Sequence, residues 1–258
     1  MKQLPLKGWL LGALLLSTSC IHEERSRCPA WLTLYFSDVP AEVKSMELVC
    51  KTKELLYCID SLFHDDWKEP YTLEVPREEL HLALWGNLSP WAQTPSGYAI
   101  PIGQQADSLY CAFARTTPDE DLVALSLSPK KNFSTLTINL VGLQRGVPQT
   151  PAEYSFIFEG SSIGQEHNGN ILSGTFRYHS PSNVCRIPRQ RTSDLTLILM
   201  LGRDSLHRFP LGKYLWEAGY NPHAPELTDW QLHLDYAQLV LTVTPENWQE
   251  VDPFYPIL

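Results

Sequence analysis

Hydrophobic and polar residues alternate with period two in six stretches of the chain. In Trp31-Leu32-Thr33-Leu34-Tyr35-Phe36, the residues Leu32, Leu34 and Phe36 share one face. Leu80-His81-Leu82-Ala83-Leu84-Trp85 repeats the pattern, and Thr135-Leu136-Thr137-Ile138-Asn139-Leu140 has Leu136, Ile138 and Leu140 against Thr, Thr and Asn. Tyr154 to Phe158, Leu195 to Leu199 and Leu239 to Thr244 continue the series. Successive side chains of a strand point to opposite faces, so this alternation predicts strands with one buried face. Ser89-Pro90, Pro95-Ser96-Gly97 and Ser180-Pro181-Ser182-Asn183 are turn clusters between them. Helical signals are few: one turn from Pro76 to Leu80, and a short helix from Leu211 to Trp216 closed by Gly219. Short strands with frequent turns predict an all-β protein of sandwich type. Gly146-Val147-Pro148-Gln149-Thr150-Pro151 interrupts the strand patterns and predicts a boundary. It divides an N-terminal sandwich at 30–147 from a C-terminal one at 148–258.

The N-terminus changes the picture. Lys2 and Lys7 precede an apolar run from Trp9 to Leu16, then Ser17-Thr18-Ser19 and Cys20. A charged start, a short apolar core and small residues before a cut form the secretory pattern. The run falls short of the roughly 20 apolar residues that cross a bilayer. Small residues ending in Cys are similar to a bacterial lipobox, offset here because Ser17 stands three residues before Cys20 and Leu16 one further back. The expectation is a signal peptide at 1–19, lipidation at Cys20 and a tether at 20–29. The alternative is an ordinary signal peptide with an incidental Cys.

Losing residues 1–19 would remove Lys2 and Lys7 and no acid, taking the net charge from −9 to −11. So acidic a chain lacks the clustered Lys and Arg that phosphate backbones require, which argues against nucleic acid. It also lacks a basic patch for anionic lipid, so membrane attachment is expected through the acyl chains. The 43% hydrophobic content supports real cores, and 20 Pro residues suit strands and turns better than helices.

No catalytic constellation is legible, and no enzyme activity, metal or cofactor is expected. His22-Glu23-Glu24 lacks the second His of a zincin helix. Gly160-Ser161-Ser162-Ile163-Gly164 has the outline of a nucleophile elbow, but Gln165 to Asn170 reads as a polar hairpin loop rather than a helix. Asp65-Asp66 and Asp119-Glu120-Asp121 lack the spacing of a calcium loop and read as solvated loop charges. After Cys20 the cysteines are Cys28, Cys50, Cys58, Cys111 and Cys185, an odd set with no CxxC. Cys50 and Cys58 flank a polar turn and could pair across a hairpin; the alternative is buried free thiols packed as small apolar groups.

Several blocks together resemble the FimB-type family of fimbrial anchor subunits of Bacteroidales. They are Cys20 with the tether to Arg27-Cys28-Pro29, the strand from Trp31 to Phe36, and Leu82-Ala83-Leu84-Trp85-Gly86-Asn87-Leu88. Lys130-Lys131-Asn132-Phe133 leading into Ser134 to Ile138, and Phe209-Pro210-Leu211-Gly212-Lys213-Tyr214-Leu215, complete the set. Arg27 stands where the family has Asp. The resemblance implies two tandem transthyretin-like β-sandwich domains, with the Lys-Asn block entering the last strand of the first. It implies an outer-membrane lipoprotein, exposed at the cell surface, that holds a fimbrium and influences its length. The implied partners are fimbrial structural subunits and, through lipid, the outer membrane. Related fibre subunits polymerise by exchanging strands.

A sheet edge can accept a strand from another chain. The expected sharing edge is Trp31, Leu32, Thr33, Leu34, Tyr35 and Phe36, since it follows the tether and Pro29 marks a strand start. Leu239 to Thr244 is the second choice. The competing reading is a surface lipoprotein that binds carbohydrate through the aromatics Trp67, Trp91, Tyr98 and Trp248. Lipidation makes a direct prediction. Cys20→Ala should release the protein from the membrane fraction or leave it unprocessed, as fractionation and intact mass would show. Normal maturation with unchanged membrane association would contradict it.

Overall fold

The computed structural model describes residues 28–63, 65–141, 154–235 and 238–246. The first strands are β1 (Ala30–Phe36), β2 (Ser45–Lys51), β3 (Leu56–Phe63), β4 (Tyr71–Val75) and β5 (Leu80–Gly86). Then come β6 (Gln93–Thr94), β7 (Gly97–Ala99), β8 (Tyr110–Thr116), β9 (Leu122–Leu127) and β10 (Lys130–Lys131). The chain continues through β11 (Phe133–Val141), β12 (Tyr154–Glu166), β13 (Ile171–Ser180), β14 (Val184–Pro188), β15 (Thr196–Leu201) and β16 (Asp204–Phe209). A helix α1 (Leu211–Glu217), β17 (Trp230–Asp235) and β18 (Val240–Pro245) complete it.

All six alternating stretches are strands, and the protein is all-β apart from short helical pieces. The helix ends as Gly219 predicts. Gly219, at φ +99°, donates its N–H to Trp216 O at 3.1 Å, and Tyr220 donates to Leu215 O at 2.8 Å. These are the paired bonds of a Schellman end. The helical turn expected from Pro76 to Leu80 does not form, because Leu80 already belongs to β5. Arg77 serves there as a clamp. Its Nε donates to Cys28 O at 3.0 Å, its Nη1 to Asp119 O at 2.7 Å, and its Nη2 meets the Asp121 carboxylate. The start of β1 is thereby tied to the turn that leads into β9.

The strands form two sandwiches. In the first, the sheet β4-β1-β9 opposes the sheet β10-β8-β5-β2-β3. In the second, β14-β11-β17-β18 opposes a sheet running β16-β15-β12-β7-β6, with β13 also paired to β12. The two share one plan. β1 is antiparallel to β4 and parallel to β9; β11 is antiparallel to β14 and parallel to β17. The order β3-β2-β5-β8 in one matches β13-β12-β15-β16 in the other. This duplication explains one departure from the resemblance. The Lys-Asn block enters β11, which is the counterpart of β1 and opens the second sandwich rather than ending the first. The expected boundary at 147/148 lies outside the described residues. By strand pairing the chain passes between sandwiches at Asn132, between β10 and β11.

The sandwiches are joined by more than a linker. The β6–β7 hairpin lies in sequence between two strands of the first sandwich, yet β7 pairs with β12 of the second. Ala99, Tyr98 and Gly97 stand opposite Gly164, Gln165 and Glu166. A Cβ on Gly164 would lie 2.0 Å from Tyr98 O, and one on Gly97 would lie 2.1 Å from Gln165 O. Only glycine permits so close an approach of two backbones. The join buries the outer face of β5. Trp85, 1% exposed, meets Tyr98 edge-on with ring centroids 5.6 Å apart and Phe113 at 5.1 Å, and lies 6.0 Å from the His167 ring. Apolar residues therefore line both faces of β5, and Ala83 and Trp85 are as buried as Leu82 and Leu84.

Two substitutions test this architecture by urea unfolding. Ile138→Asp places an unpaired charge at a position 2% exposed in β11 and should cost about 4 kcal/mol or more. Gly164→Ala drives a methyl group into the Tyr98 carbonyl and should cost about 3 kcal/mol, with new proteolysis in the β6–β7 hairpin. Unchanged stability and cleavage in the second variant would contradict the close crossing.

Candidate functional site

The strand expected to be a sharing edge is central. β1 bonds β4 on one side and β9 on the other, so the main chain of Trp31, Leu32, Thr33, Leu34, Tyr35 and Phe36 is committed within the sheet. Alternation reports which face a residue takes and is blind to whether a strand has one neighbour or two. The second choice does form an edge, because β18 pairs only with β17 among the described residues.

The duplicated plan singles out a different edge. In the second sandwich, β18 lies antiparallel beside β17. There Trp230, Leu232 and Leu234 of β17 are 3%, 0% and 0% exposed. The counterpart of β17 is β9, and no described strand lies beyond β9. Its inward residues Val123 and Leu125 remain only partly buried, and Leu122 is 63% exposed. Among the described residues, the position that β18 fills in one sandwich is open in the other. An antiparallel strand with apolar alternation, laid along β9, would pair its outer amides and carbonyls and complete the burial of Val123 and Leu125. The stretch Leu122-Val123-Ala124-Leu125-Ser126-Leu127 carries its own period-two signal, which could have marked it as a strand but not as an edge.

A second long edge is protected. β3 ends its sheet and exposes Leu56, Ile59 and Phe63. Yet Ser61 donates its N–H to Asp60 Oδ1 at 2.9 Å, and Phe63 donates to Asp66 Oδ2 at 2.6 Å. Aspartates thus take up edge amides that an incoming strand would need, a common way of blunting an edge.

Cys50 and Cys58 stand directly opposite each other across β2 and β3, as a hairpin pairing requires, and both are thiols in this structure. Burial pushes the Cys50 thiol up to about 12, with the neighbouring Cys58 adding to the effect. Burial also raises the Cys58 thiol, as does the charge of Asp60, while a hydrogen bond from Tyr71 opposes this. Thiols held in the protonated form are slow nucleophiles. Cys111 and Cys185 are buried thiols in the core. Cys20 lies outside the described residues, as do residues 1–27, His22-Glu23-Glu24 among them.

The remaining sequence candidates take structural places. Ser162 lies within β12, its Oγ accepting the Arg191 N–H at 2.9 Å, so no elbow forms around it. Gln165 to Asn170 is the hairpin turn between β12 and β13. Asp65 pairs with Lys68 at 2.8 Å, and Asp119 and Asp121 hold Arg77. No group of three His, Cys, Asp or Glu residues is placed to hold a metal among the described residues. Of the proposed carbohydrate-contacting aromatics, Trp67 and Tyr98 are buried at 9% and 1% exposure, Trp91 is 49% exposed, and Trp248 lies outside the described residues. The three described aromatics do not make an exposed row.

No protein-family model matches the chain, and no curated protein matches it. Solved structures share its fold. One is a protein of Bacteroides thetaiotaomicron provisionally named as polysaccharide-binding, at 10% identity and a TM-score of 0.60, covering 88% of this chain and 99% of that one. Another is the fimbrial anchor protein Mfa2 of Porphyromonas gingivalis, at 12% identity and a TM-score of 0.58, covering 86% and 98%. A third is a provisionally named adhesin of Bacteroides ovatus, at 11% identity and a TM-score of 0.57, covering 81% and 89%. At these identities the likeness is one of fold.

Proposed function

We propose that this protein is a fimbrial anchor subunit, held in the outer membrane through lipid on Cys20, which receives a β-strand from the adjoining fibre subunit along β9. The observation that carries the reading is the free edge of β9. Among the described residues the position that β18 takes beside β17 has no counterpart beside β9, and Val123 and Leu125 are incompletely covered. The shared fold with Mfa2, itself named a fimbrial anchor protein, supports the same reading. So does an N-terminus with the charged start, apolar run and small residues before Cys20 that resemble an exported lipoprotein's. Main-chain pairing supplies affinity with little demand on sequence, while alternating side-chain positions set the register.

Cysteine cross-linking in fibre-bearing cells tests the edge. Ala124→Cys, on the exposed face of β9, should form a disulfide with a cysteine placed along the donor strand of the fibre subunit. Ser61→Cys on the blunted β3 edge should not. Absence of a cross-link from every β9 position, in cells whose fibres are attached, would count against strand sharing at this edge. Normal fibre attachment and length after deletion of the gene would overturn the anchor role itself.

A further inference from the structure

A cleft of about 920 Å³ opens between the two sandwiches. One wall carries Phe113 of β8, Ser126 at the end of β9, Ser128 and Lys130; the other carries the β12–β13 turn, Arg191 and His223. Its floor is a chain of buried polar groups. Arg189, 7% exposed, donates from Nε to Asn132 Oδ1 at 2.7 Å. Asn132, 1% exposed, donates to Gln165 Oε1 at 2.6 Å, and Gln165 donates to Gly169 O at 3.0 Å. Arg189 Nη1 donates to Pro222 O at 2.8 Å and Ala224 O at 2.7 Å, and Nη2 has no acceptor among the described residues.

Charge is the anomaly. The whole chain carries −9, yet Lys130, Arg189 and Arg191 all line this cleft, with Glu166 the one carboxylate among its lining residues. Glu166 already accepts from Asn168 Nδ2 at 2.9 Å and Asn170 Nδ2 at 3.4 Å. Among the described residues no carboxylate pairs with Arg189 or Arg191, and Lys130 reaches only Glu226, at 4.0 Å. Cys111 and Tyr98, whose titration feels the Arg189 charge, do not serve as its counter-ion either. Burial pushes the Cys111 thiol up to about 12 and raises the Tyr98 hydroxyl above its ordinary value, so both are neutral at pH 7 despite the opposing pull of the guanidinium. The protein holds this guanidinium through neutral carbonyl and amide oxygens alone, which leaves Nη2 and the positive charge available to an anion in the cleft.

We propose that the cleft is a binding site for an acidic sugar, a hexuronate whose carboxylate sits against Arg189 and Arg191. The walls favour a ring bearing hydroxyls over a peptide. Main-chain groups at the cleft are already paired: Lys130 with Cys111, Gln165 with Tyr98 and Ile171, and Asn132 N–H with Leu109 O. Ser126 and Leu127 at the end of β9 border the cleft, but across its floor the main chain is committed, and the Phe113 ring, the Ser126 and Ser128 hydroxyls and the Asn170 amide present a mixed apolar and hydroxyl-binding surface suited to a sugar. The site adjoins the last residues of β9, Ser126 and Leu127, but its ligand is read by a different experiment from strand sharing, so either reading can fail without the other.

Titration calorimetry of the lipid-free chain from residue 21 onward, with methyl glucuronide and its uncharged counterpart methyl glucoside, tests the proposal. The glucuronide should bind and the glucoside should bind at least about tenfold more weakly, as expected for loss of a charge-assisted contact. Arg191→Gln and Lys130→Gln, at exposed and half-buried positions, should leave the fold intact, and Arg191→Gln should weaken glucuronide binding about tenfold. Equal binding of the two glycosides, wild-type affinity in Arg191→Gln, or no glucuronide binding would overturn the proposal. So would tighter binding of inorganic phosphate or of a glutamate-rich peptide, which would mark the cleft as a site for a different anion.

Discussion

The crossing of β7 and β12 is the constraint on which the rest of the molecule depends. Two backbones meet so closely at Gly164 and Gly97 that neither residue has room for a Cβ. That contact stitches a hairpin from the first sandwich into a sheet of the second. It buries Trp85 under Tyr98, Phe113 and His167, so a sheet face that would otherwise meet solvent becomes interior. It also sets Gln165 where it can accept from Asn132, the residue at which the chain changes sandwich. The cleft with its Arg189 floor lies beside this join, which is extended by Gly103 donating to Arg177 O at 2.8 Å and Ala106 donating to Arg186 O at 3.1 Å.

Duplication of the plan gives the second level of organisation. Each sandwich begins with a central strand, β1 or β11, flanked by one antiparallel and one parallel neighbour. A parallel neighbour requires a long crossover, so β9 and β17 arrive late in their sandwiches and take the outer place. In the second sandwich β18 then folds back and shields β17. In the first, β9 has no second neighbour among the described residues. Burying a Val or Leu side chain fully is worth roughly 1.5–3 kcal/mol, and Val123 and Leu125 have part of that still to gain from an added strand. The aspartates on β3 act in the opposite sense: they answer edge amides internally, which directs pairing away from an otherwise apolar edge.

Much of the fold was legible in the sequence because period-two alternation is a direct record of faces. The runs at Leu136, Ile138 and Leu140 and at Leu32 and Leu34 predicted strands, and Gly219 predicted the helix end. What alternation cannot record is neighbourhood. It could not tell that β1 has a strand on each side, nor that Phe133 opens a sandwich rather than closing one. The turn expected at Pro76 gave way to β5, which starts at Leu80, and Arg77 instead reaches Cys28 and Asp119, partners over 40 positions away in the chain. Cys50 and Cys58 were legible as a facing pair because both strands and their turn are local. The cleft was not, since Lys130, Arg189 and Arg191 are unremarkable charges until the crossing brings their loops together.

Hydrogen–deuterium exchange of the intact protein, alone and loaded with the adjoining fibre subunit, tests strand sharing most directly. Half the amides of β9 point away from β1 and have no described partner. On loading, exchange in residues 122–127 should slow sharply, while β1, already paired on both sides, and the blunted end of β3 should change little. Unaltered exchange along β9 in a complex that has formed, with protection gained elsewhere, would contradict the account.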